Sequence, residues 1–69
     1  MKGFVQMTTV DGTRCLHAVE NIVCIFEDGD GSFVALKDSQ RKEKGSYGGL
    51  EVQESFSEMK SRIFEAIKN

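Results

Sequence analysis

Proline is absent from this chain, cysteine occurs twice and histidine once, and no apolar run approaches the ~18 residues that a membrane-spanning helix needs. Each shortage removes something. Without proline, chain reversals fall to Gly and Asp, which gather at Asp11-Gly12 and at Asp28-Gly29-Asp30-Gly31. Cys15 and Cys24 are not spaced as a metal or redox pair and make at most one disulfide, a thin framework for a secreted chain. Both read as reduced, small core residues. A dominant charge is missing as well: nine basic against eleven acidic residues leave a net charge of −2, so nothing attracts phosphate globally and a dedicated nucleic-acid binder is not expected. Met1-Lys2-Gly3-Phe4 lacks the apolar core and cleavage site of a signal peptide, which makes the cytoplasm the expected location.

What is present reads as one domain over residues 1–69, with strands within 3–53 and a helix at 55–68. Phe4 to Val10 is rich in β-branched and aromatic residues, Asp11-Gly12 turns the chain, and Thr13 to Ala18 returns antiparallel. Val19-Glu20-Asn21 reads as a corner. Ile22 to Phe26 is apolar without interruption and is expected to be a central strand covered on both faces. After a turn at Glu27 to Ser32, Phe33 to Leu36 is a fourth apolar strand, and Leu50 to Gln53 alternates as a half-exposed fifth. The period then changes at Ser55: Phe56, Met59, Ile63, Phe64 and Ile67 share one helical face, and Ser55-Phe56-Ser57-Glu58 fits a capping box. Glu58 and Arg62 form an i,i+4 pair on the opposite face. On this pattern Met59 and Phe64 are expected to be buried. The fold class is therefore α+β and mainly β: a small curved antiparallel sheet or open barrel of four to five strands with one C-terminal helix. A helix of ~14 residues is only ~21 Å long and covers one sheet face, so closure of the barrel or a second subunit is expected to cover the other.

Few residues suggest chemistry. Asp28-Gly29-Asp30-Gly31-Ser32-Phe33 resembles the middle of a calcium-binding loop, but alignment on Gly31 puts Phe26 and Lys37 where oxygen ligands are required. A hairpin turn is the better reading. Cys15, His17 and Cys24 are one ligand short of a structural zinc site, and no third group activates them as a nucleophile pair. No metal, cofactor, catalytic residue or small-molecule substrate is expected, and the chain is not expected to be an enzyme. Asp38 to Gly49 is charged, glycine-rich and almost without apolar residues, as a mobile loop or a hairpin tip is. Within it Arg41, Lys42, Lys44 and Tyr47 are the one basic and aromatic cluster. They are the candidate partner or nucleic-acid contacts, set against their simpler role as a solvated loop.

Asp11-Gly12, Ile22 with Ile25, Asp30, Phe33 to Leu36, and Val52, Glu54 and Ser55 leading to Met59 and Ile63 resemble the landmarks of the FlbD-type small flagellar proteins. The resemblance covers nearly the whole chain. It implies the same β-rich fold ending in a helix and a role as a flagellar-assembly accessory, and it brings no catalytic residues with it.

A domain this short buries only ~60% of its unfolded surface, so a small cytoplasmic interaction or structural module is expected. Self-association into a homo-oligomer or a protein partner would complete it. The alternative is a small regulatory nucleic-acid binder using residues 41–47.

Overall fold

The computed structural model describes residues 3–37 and 48–68. β1 (Phe4–Thr8) and β2 (Arg14–Ala18) form an antiparallel hairpin that sets Val5 opposite His17 and Met7 opposite Cys15. Alternation along β1 buries Val5 and Met7 and exposes Phe4 and Gln6. The first strand is shorter than its composition suggests. Thr9 instead closes the turn: its amide donates to the Thr13 carbonyl at 2.8 Å, and the Gly12 amide donates to the Thr9 carbonyl at 2.9 Å. Gly12 takes φ +95° there. The Thr9 hydroxyl donates to the Asp11 carboxylate, which also accepts the Thr13 amide. Those bonds, the Thr9 hydroxyl first, hold the Asp11 carboxyl below its ordinary value. Val10 leaves the ladder and is exposed.

A 3-10 turn at Val19–Asn21 makes the expected corner. β3 (Ile22–Asp28), β4 (Gly31–Leu36) and β5 (Gly49–Val52) then form an antiparallel sheet in the order β3-β4-β5. Asp28 faces Gly31 across a two-residue loop in which Gly29 takes φ +59°, a position that favours glycine at the first loop residue. Asp28 to Gly31 is thus a hairpin turn. The two sheets meet at a bridge between Thr9 and Val52, flanked by bonds from the Gln53 amide to the Thr8 carbonyl and from the Val10 amide to the Glu51 carbonyl. The described residues thus form an α+β, mainly β domain of five strands and one helix, without a closed barrel among them.

Two strands depart from the pattern expected of them. The central, doubly covered strand is β4, whose Ser32, Phe33, Val34 and Ala35 are all buried. The more apolar β3 lies at the sheet edge and is only half-buried. Its register shifts between Ile22 and Cys24, leaving Val23 unpaired and 51% exposed. Gly49, expected at the end of a loop, opens β5 opposite Ala35. A Cβ at that position would collide with the Val34 carbonyl oxygen, so only glycine lets the strands approach. Residues 38–47, the rest of that expected loop, lie outside the described residues.

The helix α1 (Phe56–Lys68) follows at once, capped by Ser55. The Ser55 hydroxyl accepts the Glu58 amide at 3.2 Å, and the Ser55 carbonyl accepts the Met59 amide at 2.9 Å. Only the serine half of the capping box forms. The Glu58 carboxylate turns to Arg62 Nη2 at 2.7 Å, the expected i,i+4 pair. Arg62 Nη1 reaches the Gln6 carbonyl at 2.9 Å and Glu54 Oε2 at 3.3 Å, and Glu54 Oε1 accepts the Thr8 amide at 2.9 Å. One arginine thereby ties α1 to β1 and to the β5–α1 junction.

The core gathers Val5, Met7, Val19, Val34, Val52, Met59 and Ala66, with Cys15 and Ile63 among the half-buried residues packed on it. Both thiols are free. Burial, then the Glu54 charge, pushes the Cys15 thiol up. Cys24 is not a core residue; it sits half-buried on β3. On the other face of the sheet the Phe26 and Phe33 rings stack at a tilt, with centroids 6.2 Å apart.

Candidate functional site

The helix is wider in its apolar stripe than the core it covers. At ~100° per residue, Ile63 and Ala66 lie within ~40° of Met59, whereas Ile67 lies ~80° and Phe64 ~140° round from it. Met59 is fully buried and Ala66 nearly so, but Ile67 is 50% exposed and Phe64 is 55% exposed. The expectation that Phe64 is buried therefore fails: a helix packed along the Met59 seam cannot also turn Phe64 inward.

The uncovered part of the stripe faces β3. Val19, Ile22, Val23, Cys24 and Ile25 on one side and Phe56, Ile63, Phe64 and Ile67 on the other enclose a groove of about 480 Å³. Among the described residues, Glu20 and Lys60 are the charged ones that line it, and the Lys60 ammonium lies 6.0 Å from the centre of the Phe64 ring. The Gly3 amide donates to the Ala66 carbonyl at 3.2 Å and the Val19 amide to the Gly3 carbonyl at 3.1 Å, so the last turn of α1 lies beside Glu20. Lys60 is six residues up the helix, ~9 Å away along its axis. Its two charges are thus set apart along the helix axis, Glu20 beside the last turn and Lys60 toward the first, with Phe56 one turn beyond Lys60.

Among the described residues, one side of β3 is left without a paired strand along this groove. The Leu36 amide donates to the Gly48 carbonyl, so even-numbered residues of β4 turn their backbone groups to β5 and odd-numbered ones to β3. Through the pairs Cys24–Ala35 and Phe26–Phe33, Cys24 and Phe26 turn theirs to β4. Ile25 and Glu27 turn theirs outward, where no strand among the described residues pairs with them.

Arg41, Lys42, Lys44 and Tyr47, the candidate contacts read from the sequence, lie outside the described residues. Cys15 and His17 are on β2 and Cys24 is on β3, and the described residues contain no cluster of three His, Cys, Asp or Glu side chains able to hold a metal ion. No helix among them is long and apolar enough to cross a membrane. The groove itself was missed by sequence reasoning, although a five-residue apolar stripe on a short helix was the available signal. Compared with known proteins, the chain matches no family model, no curated protein and no solved structure. The FlbD-type resemblance is carried by the landmark residues alone.

Proposed function

We propose that this protein is a non-enzymatic interaction module that docks a protein surface in the groove between α1 and β3. The observation that carries this is the clustering of Val23, Phe64 and Ile67, each at least half exposed, around one concavity. Contiguous apolar surface of this kind costs solubility unless a partner covers it. The β3 edge beside it, unpaired among the described residues, adds directional backbone donors and acceptors to the same site.

A photo-crosslinking residue placed at position 64 in the native host tests this. Irradiation is expected to give discrete protein adducts, a copy of the chain included. The same residue at Leu16, equally apolar and 64% exposed on β2, is expected to give none. Equal labelling from both positions, or no adduct from position 64, refutes the reading.

A further inference from the structure

Resting on that docking surface, we infer that its occupant is a second copy of this chain, seated by a twofold axis through the middle of the groove. Two features select a copy. The first is shape. Phe64, 55% exposed, borders the same concavity that Ile22, Ile25 and Ile63 line, so each protomer carries both an exposed ring and a recess. A twofold axis exchanges them, as an isologous interface requires.

The second is charge. Glu20 lies beside the last turn of α1, and Lys60 lies ~9 Å up the helix axis from Ala66, toward the other end of the groove. A twofold axis crossing the groove between them inverts the partner's groove, bringing the partner's Glu20 onto Lys60 and the partner's Lys60 onto Glu20. The two pairs form simultaneously. Without inversion, acid meets acid and base meets base, which disfavours that arrangement. The inverted order also sets the two α1 helices antiparallel, so their dipoles oppose. The remaining charges of the last helical turns, Glu65 and Lys68, pair with each other at 3.6 Å.

Sedimentation velocity of the purified full chain, from low micromolar to ~200 μM, tests this by mass action. The wild type is expected to pass from monomer to dimer. Glu20→Lys and Lys60→Glu are each expected to raise the dissociation constant about fivefold or more, because each creates two like-charge contacts. The doubly swapped variant Glu20→Lys/Lys60→Glu is expected to return to near the wild-type value, which a merely structural role for either residue would not produce. Both side chains are exposed, and circular dichroism melting of each variant checks that the fold is kept. A monomer at every concentration overturns the inference. So does a dimer indifferent to the single swaps, or one that the double swap fails to restore. If the chain is monomeric while position 64 still crosslinks to a different protein, self-association fails and the docking reading survives.

Discussion

Met59 and Phe64 are five positions apart on one helix and were both expected to be buried, yet one is fully enclosed and the other 55% exposed. Their energetic roles should separate accordingly. Met59→Ala removes a side chain packed among core residues and is expected to cost about 2–5 kcal/mol. Phe64→Ala is expected to cost under about 1 kcal/mol in the monomer while weakening whatever the groove binds. Urea midpoints measured at low micromolar concentration check both. Comparable losses for the two would contradict the placement of the helix seam.

At the scale of elements, the junction between β5 and α1 depends on Glu54, whose side chain is 10% exposed. Burial raises the pKa of this carboxyl, but the Thr8 amide and Arg62 outweigh burial and leave it below its ordinary value. A lowered folded-state pKa stabilises the fold fully above the unfolded value of ~4.3, and that contribution is lost as pH falls through the folded value. Glu54→Gln is therefore expected to cost about 1 kcal/mol near neutral pH. Its urea midpoint should fall less steeply than that of the wild type between about pH 6 and about pH 3. Asp11, also held low, is unchanged in the variant and cancels in the comparison. Parallel acid limbs would show that Glu54 does not join the helix to the sheet.

For the whole molecule, α1 is the lid of the core: Met59 and Ala66 join Val5, Met7, Val34 and Val52 in one cluster. A chain ending at Glu54 loses that cover and exposes the apolar faces of both sheets. It is expected to unfold or aggregate. Heteronuclear NMR of the truncated chain checks this, since a dispersed spectrum from a soluble monomer would show that the sheets stand without the helix. Among the described residues the two sheets share one bridge and the two bonds that flank it, so the helix supplies much of what holds them together.

The identity and order of the elements were legible in local sequence. Asp11-Gly12 and Gly29 mark turns by backbone conformation, alternation in Phe4–Thr8 sorts its residues to two faces, and the change of period at Ser55 starts the helix. These signals are local because φ/ψ preference and side-chain periodicity are properties of neighbouring residues. Which strand lies in the middle was not local. Ile22 to Phe26 is more uniformly apolar than Gly31–Leu36, yet β4 takes the centre because β5 pairs with it, and the open edge falls to β3. The groove is likewise a tertiary product. Phe64 and Ile67 belong to the stripe that marks the helix, but whether a stripe is covered depends on the width of the surface it meets. That width was set by the packing of Met59 and Ala66 on strands far away in the chain.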